Sequence, residues 1–418
     1  MIDPAFVSRL RQALDRDAAL ALLKRAVGTP SVTGNERVFA ELLAGELEAL
    51  GAVDLRLSDF AAGRPNVSAL LEGAGGGPVL LLAGHTDTVH VKGWAERWAG
   101  TARQDPFGGA VVDGAIWGRG TGDLKAGIVA TLSAARLLGE LGAKPACDVL
   151  FAFIGDEESG EEGTGVSAGM KALTAEFEAG ALPRPDFAVY VEPTQLQVFA
   201  AQMGFLIADI TVTGRAAYFG LPELGVDALK AAHAVLSALW AHSATLAARP
   251  AHPLVGRPFL LVTGIAGGGS IAVPGECTIS LILKLLPGDD LDAAAAALEA
   301  AVRGAAIAPE VELAFAYPAG RDHRLGGTPV ETPAALPPVQ LLQAAVRSVR
   351  PDRGEIAGAP YWSEAPFLST RLGVPAVYCA PGDISNCHTL EEHVDLEEFY
   401  DGVVALAAFI AAFGRPSA

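Results

Sequence analysis

Thiol chemistry has little to work with in this chain: its four cysteines, Cys147, Cys277, Cys379 and Cys387, are scattered, and none forms a CxxC pair. That spacing argues against a disulfide framework and a thiolate zinc knuckle, and leaves buried thiols as the expectation. Basic residues are also in deficit, with 30 Lys and Arg against 48 Asp and Glu and a formal net charge of −18. A polyanion or anionic membrane surface needs a basic stripe, so neither a nucleic acid nor a membrane is expected as partner. No apolar run approaches the ~18 residues of a bilayer span, since even LALLKRAV is interrupted by charge. The opening segment MIDPAFVSRLRQALDRD lacks the apolar core and cleavage site of a secretory signal, and its Asp3-Pro4 pair reads as a helix start. A cytoplasmic protein is expected.

Two catalytic signatures are missing as well. The glycines at 73–77 and 267–269 are not followed by the Lys-Ser/Thr of a phosphate cradle, and GRGTGDLKAG misses the GxGxxG spacing of a dinucleotide fold.

What is present is a globular composition, 51% hydrophobic and 19% charged, over 418 residues. That length exceeds one ordinary core and predicts two domains. Apolar positions at helical spacing over 17–50, broken by the turn GTPSVTGNE, predict two opening helices. VLLLAG (79–84), DVLFAFIG (148–155), FAVYVE (187–192) and PAVYCA (375–380) are short β-branched runs suited to strands buried on both faces. Helical stretches such as 125–141 lie between several of them, which predicts an α/β fold with a mixed, largely parallel sheet. From Gly204 the pattern becomes strand, helix, strand, strand, helix, strand. This order predicts an inserted α+β ferredoxin-like domain at 204–319, between catalytic-domain segments 1–203 and 320–418.

Acids and histidines gather where an open α/β sheet presents its loops, just beyond the carboxyl ends of strands. His85-Thr86-Asp87 follows VLLLAG, Asp156-Glu157-Glu158 follows DVLFAFIG, Glu192 ends FAVYVE, and His388 follows PAVYCAPGDISNC. Asp123 stands before a helix in WGRGTGDLKAG. Imidazole and carboxylate without thiolate suit zinc, cobalt or manganese, as one or two divalent ions. A ligating histidine usually gives its second ring N–H to a carboxylate, which casts Asp87 as the partner of His85 rather than as a ligand. Adjacent Glu157 and Glu158 can divide two tasks, metal binding and proton transfer. The competing reading of GDEESGEEG is a solvated acidic loop. The remaining histidines, His90, His233, His242, His252, His323 and His393, lack this context and are assigned to packing or surface.

At these residues the sequence resembles the acetylornithine deacetylase, succinyl-diaminopimelate desuccinylase and aminoacylase family of co-catalytic zinc hydrolases. GHTDTV, WGRGTGDLKAG, GDEESGEEGTG, VEPT and NCHTLEEHV carry the resemblance, in the family's order and over nearly the whole chain. It implies a catalytic domain with an inserted lid and dimerisation domain, hence a homodimer or higher homo-oligomer. It also implies that Asp123 bridges two ions, that His85 and Glu192 complete one site, and that Glu158 and His388 complete the other. Glu157 is then the general base in hydrolysis of a C–N bond of a small molecule.

The lid departs from the family. The family's GxAxH segment reads Gly214-Arg215-Ala216-Ala217-Tyr218 here, so a tyrosine stands for the lid histidine. Ile271 replaces an Asn, Lys284 replaces an Arg, and a Ser-Asp pair late in the chain reads Ser363-Glu364. Tyr218 retains a hydroxyl donor and is carried as a candidate catalytic residue. Two substrate readings follow: an ordinary acyl amide, or an activated aromatic amine of the nitroanthranilate type, where attack falls on a ring carbon. A non-catalytic binding relative is the third alternative.

Overall fold

The computed structural model describes residues 2–158, 163–269 and 271–415. The chain divides into two compact units, Met1–Ala200 with Thr332–Ala359 and Ser363–Ala418, and Ala201–Glu331 with Pro360–Trp362. Three helices open the first unit, α1 (Pro4–Ala13), α2 (Arg16–Val27) and α3 (Arg37–Ala49). They precede β1 (Val53–Ala61), β2 (Arg64–Leu71), β3 (Val79–His85), α4 (Ala126–Glu140), β4 (Asp148–Ile154), α5 (Ala168–Glu178), β5 (Phe187–Tyr190) and β6 (Val198–Gln202). The second unit holds β7 (Gly204–Thr213), α6 (Ala228–Ala247), β8 (Phe259–Gly267), β9 (Glu276–Leu285), α7 (Leu291–Arg303) and β10 (Glu312–Ala316). The return to the first unit adds α8 (Pro337–Val349), β11 (Ala376–Tyr378) and α9 (Leu396–Ala412).

The first unit's sheet runs β1-β2-β4-β3-β5-β11-β6. Its centre is parallel, β3 with β4 and β5, and β5 with β11, while β1, β2 and β6 pair antiparallel on the flanks. β3 and β4 are buried beyond their first residue and β5 throughout, as apolar runs covered by helices require. Several helices start on an aspartate whose side chain accepts a first-turn N–H: Asp3, Asp15, Asp227, Asp290 and Asp395. Part of the acid excess is therefore spent on capping.

The hairpin β1–β2 was not expected. Its outer strand does alternate, Val53, Leu55 and Leu57 against Asp54, Arg56 and Ser58, yet those apolar residues are exposed, so the pattern here marks an edge strand rather than a core face.

The second unit's antiparallel sheet has the order β8-β9-β7-β10, a ferredoxin-like arrangement. β7 and β9 alternate buried and half-buried positions, and their inner residues Ile210, Ile279 and Leu281 share a core with Val235 and Leu239 of α6 and Leu298 and Val302 of α7. The unit ends at Glu331 rather than at the expected 319. Gly326–Gly327 still pairs with β7 at Leu206 and Phe205, and two glycines carry no apolar signature that a sequence reading can detect. They are needed there, because a Cβ on Gly327 would sit 2.3 Å from the Trp362 indole nitrogen.

Candidate metal centre

Parallel strands end on the same edge of their sheet, and the loops beyond that edge converge. His85 is the last residue of β3, Glu157 and Glu158 follow β4, Glu192 follows β5, and His388 lies on the loop after β11. Asp123 sits in the turn entering α4, next to a cis Asp123–Leu124 peptide bond. The chain thereby brings all five expected ligands together. His85 Nε2 is 2.9 Å from Asp123 Oδ1 and 3.9 Å from Glu192 Oε1. His388 Nε2 is 3.0 Å from Asp123 Oδ2 and 2.8 Å from Glu158 Oε1. Each set, His85–Asp123–Glu192 and Asp123–Glu158–His388, has its donor atoms within 4.8 Å of one another, and so does His85–Glu157–Glu158. The two oxygens of Asp123 thus face different imidazoles.

Neighbouring groups hold this arrangement. His85 Nδ1 lies 2.9 Å from the Asp87 carbonyl oxygen, which can only accept, so the proton sits on Nδ1 and Nε2 is turned to the cluster. The expectation that the Asp87 carboxylate would fill this role needs correction, for it is 3.8 Å away. That carboxylate instead accepts the Glu158 N–H at 2.9 Å, the Glu157 N–H at 3.3 Å and the Thr33 hydroxyl at 3.1 Å. Asp87 therefore orients the acid pair with its side chain and the imidazole with its backbone. Ser363 Oγ donates to Glu192 Oε1 at 2.6 Å, and Tyr190 donates to Glu364 at 2.8 Å. Asp156 accepts from the N–H groups of Gly165, Val166 and Ala168 and is paired with Arg64 at 2.8 Å, so it closes the loop that carries Glu157 and Glu158. The solvated-loop reading of GDEESGEEG does not hold at Glu157 and Glu158, which are half-buried and buried, while 159–162 lie outside the described residues. Asp156, Gln195, Leu196 and His388 all have φ between 52° and 70°, a strained backbone for non-glycine residues.

Charge is unbalanced. Asp87, Asp123, Glu157, Glu158, Glu192 and Glu364 stand against two imidazoles, His85 and His388, and only His388 is well exposed. Burial pushes the Glu157 carboxyl up to about 8, opposed by His85 and reinforced by the charges of Glu364, Asp123 and Asp87. Burial likewise lifts Glu158, Asp87 and Glu364 to about 7, and Glu192 well above the carboxylate range. Burial also opposes ionisation of Asp123, but hydrogen bonds from His388 and His85 outweigh it and hold this carboxyl below its ordinary range. His388 rises to about 11 through its bonds to Asp123 and Glu158. A buried cluster of acids with so little compensation is what one or two divalent cations offset, and the donor types are those of zinc, cobalt or manganese. The residues fit such ions.

Comparison with known proteins bears on the chemistry. A family profile described as "Peptidase family M20/M25/M40" matches residues 81–412. The chain belongs to this family. It is a metal-dependent hydrolase acting on C–N bonds, and the non-catalytic alternative loses its ground. An acetylornithine deacetylase of Proteus mirabilis is 26% identical over 397 residues, covering 90% of this chain and 92% of that protein. A succinyl-diaminopimelate desuccinylase of a Methylobacterium species is 37% identical over 212 residues, 49% of this chain and 50% of that one. In fold, an M20 family metallo-carboxypeptidase of Sulfolobus solfataricus superposes with a TM-score of 0.73 at 18% identity, over 94% of this chain and 98% of that one.

The positions at which the sequence reads as departing from the family's lid lie in the second unit of the M20 hydrolase. Tyr218 forms a two-residue ladder with Ala272, is 62% exposed, and has its ring 4.6 Å from that of Phe219. Ile271 is 72% exposed, and Leu221 and Leu224 are exposed as well. Lys284 is half-buried, and burial lowers its amine to about 8. Of the set-aside histidines, His393 stacks on Trp117, and His252 and His323 pair with Glu331 and Asp292. Sequence reasoning missed Glu392 and Arg119, a buried ion pair beside Asp123 whose partners lie 273 residues apart. The one available signal was an acid and a base inside two motifs already singled out, LEEHV and WGRGT.

Proposed function

We propose that the chain hydrolyses an amide bond in a small N-acyl compound, with His85, Asp123, Glu158, Glu192 and His388 holding one or two divalent ions and Glu157 serving as general base. The observation that carries this reading is Asp123 placed between two imidazoles, each with a further carboxylate beside it. When bound, ions of this kind lower the pKa of water from 15.7 to about 7 and stabilise negative charge on a carbonyl oxygen. Glu157 takes one proton from the attacking water as its oxygen bonds to the acyl carbon, then delivers it to the nitrogen as the C–N bond breaks. The products are a carboxylic acid and an amine, which at neutral pH exchange a proton to become carboxylate and ammonium. Asp87 keeps Glu157 in place through its main-chain N–H. Relatives named deacetylase and desuccinylase support an acyl group carried on an amine nitrogen. Zinc, cobalt and manganese all suit the donor set.

A second reading rests on the second unit, where Tyr218, Phe219 and Ile271 present an apolar, aromatic surface in place of polar family groups. That surface favours an activated aromatic amine, for which hydroxide adds to a ring carbon and ammonia leaves. Homo-oligomerisation through this unit is supported by β8, an edge strand exposing Phe259, Leu261 and Ile265. Sedimentation showing only monomer rejects it. No helix among the described residues is long and apolar enough to cross a membrane. Four free, buried cysteines support a reducing, cytoplasmic setting.

The deciding experiment assays N-acyl amino acids, dipeptides and aromatic amines with zinc-, cobalt- and manganese-loaded protein, alongside Glu157→Gln and Tyr218→His. Retained metal with turnover lowered about 10²–10⁴-fold in Glu157→Gln supports the mechanism. Undiminished turnover in that variant rejects it. Acyl-amide turnover raised by Tyr218→His, with another activity lowered, favours the second reading.

A further inference from the structure

The turn before α4 and the loop after β11 meet at one buried ion pair. Glu392, four residues after His388, has no exposed surface, and Arg119, four residues before Asp123, is 2% exposed. Arg119 Nη1 pairs with Glu392 Oε2. The other oxygen of Glu392 accepts the main-chain N–H of Gly122 at 3.0 Å and that of Asp123 at 3.1 Å. Arg119 Nη2 donates to the carbonyl of Thr389, next to His388, at 3.0 Å, and the Gly118 N–H donates to the Glu392 carbonyl at 3.2 Å.

Stability alone is a poor reason for such a pair. Burying two charges costs several kcal/mol each in desolvation, and an apolar replacement of similar volume is often neutral or stabilising. Backbone direction is a better one. Asp123 has φ −121° and ψ 89° and Leu124 φ −137° and ψ 33°, so this turn is not helical, and a carboxylate from another loop takes up its leading N–H groups. His388, at φ 60°, is equally in need of an outside constraint. One side chain touches both problems.

We propose that Glu392, locked by Arg119, is a positioning residue that aims Asp123 and His388 at each other, so that the ion held by Asp123, Glu158 and His388 depends on it. The inference rests on the metal-centre reading above. It makes Glu392 an outer partner of two ligands at once, through the backbone of Asp123 and through the loop that carries His388. The ion on the His85–Asp123–Glu192 side shares only the first of these links.

Calorimetric titration of the full-length, metal-stripped chain with cobalt(II) tests it, comparing the parent with Glu392→Gln, Arg119→Lys and Glu46→Gln. Glu46 is a buried acid paired with Arg25 and Arg136 away from the cluster, and its variant reports the general effect of removing a buried charge. In Glu392→Gln one of the two cobalt ions is expected to bind about 10–100-fold more weakly, with a smaller change in the other and none in Glu46→Gln. Arg119→Lys keeps a cation on Glu392 but drops the tie to Thr389, and is expected to weaken the same ion about fivefold. Parent-like affinities for both ions in a folded Glu392→Gln overturn the proposal, as do equal losses in Glu46→Gln. If Glu392→Gln does not fold, parent-like binding by Arg119→Lys overturns it. A parent that takes up no cobalt fails differently, because the metal-centre reading then falls first.

Discussion

Among the described residues, every non-glycine residue with positive φ lies in the first unit, and four of the seven, Asp156, Gln195, Leu196 and His388, stand on the loops that build the donor cluster. The second unit has none, and its long strands β7 and β9 alternate inward and half-buried side chains along their whole length. Backbone strain gathers where side chains must be aimed, and regularity prevails where a core has only to be filled. All five expected ligands and Glu157 lie in the strained unit, whereas Tyr218, Ile271 and Lys284 lie in the regular one. The comparison separates loops that aim a donor cluster from strands that fill a core.

The sharpest way to break that contrast is Asp123→Ala. Two of the three donor groups, His85–Asp123–Glu192 and Asp123–Glu158–His388, use this carboxylate, so uptake of both proposed ions is expected to fall by more than the roughly 10–100-fold that loss of an outer partner costs. Two ions still bound, by elemental analysis, would place the cluster's centre elsewhere. Leu281→Ala is the matching insult to the second unit. Removing this fully buried side chain is expected to cost about 2–5 kcal/mol of that unit's stability, measured by denaturant unfolding, while metal content stays at the parent value. Loss of metal in parallel would deny the units their independence.

Proton linkage gives a third, smaller test. In the metal-free chain the Glu158 carboxyl titrates at about 7 and His388 at about 11, and each must release its proton to act as a ligand. Metal uptake should therefore release protons, and affinity should rise with pH, about tenfold per unit for each proton released. Calorimetry at pH 6 and 8 in buffers of different ionisation enthalpy reads both quantities, and a pH-independent affinity refutes the assignment. The least effect is expected at Lys284, whose amine falls from its ordinary 10.5 to about 8 through burial. Between those values the unfolded chain binds more protons, so parent stability rises with pH across that window. Below pH 8 the buried charge is a burden, and Lys284→Met should be the more stable protein there. Its advantage should fade as pH approaches 10.5, which thermal unfolding at pH 7 and 10 can follow.

Much of the site was legible because each group ends or follows an apolar run: His85 after VLLLA, Glu158 just beyond DVLFAFI, Glu192 at the close of FAVYVE. Parallel strands convert that one-dimensional regularity into convergence in space. The second unit's fold was legible for a similar reason, since an alternating pattern names the buried face. What escaped had no local signature. The Arg119–Glu392 pair spans 273 residues, and the Asp87 carbonyl rather than its carboxylate meets His85. The Gly326–Gly327 strand depends on the absence of side chains beside Trp362.

The second unit leaves and rejoins its host through two neighbouring strands: Gln202 pairs with Val330, Ala201 with Glu331, and the Thr332 N–H bonds to the Ala200 carbonyl. Departure and return are thus a single ladder rung apart, like the two ends of a drawer in one slot. A tight turn can bridge that gap, so the excursion over 203–329 can be lengthened or exchanged with a homologue's without rethreading the strands that carry it, provided Pro360–Trp362, which belong to the same unit, are exchanged with it. Evolution of selectivity then becomes a matter of swapping cassettes while the hydrolytic chassis stays put.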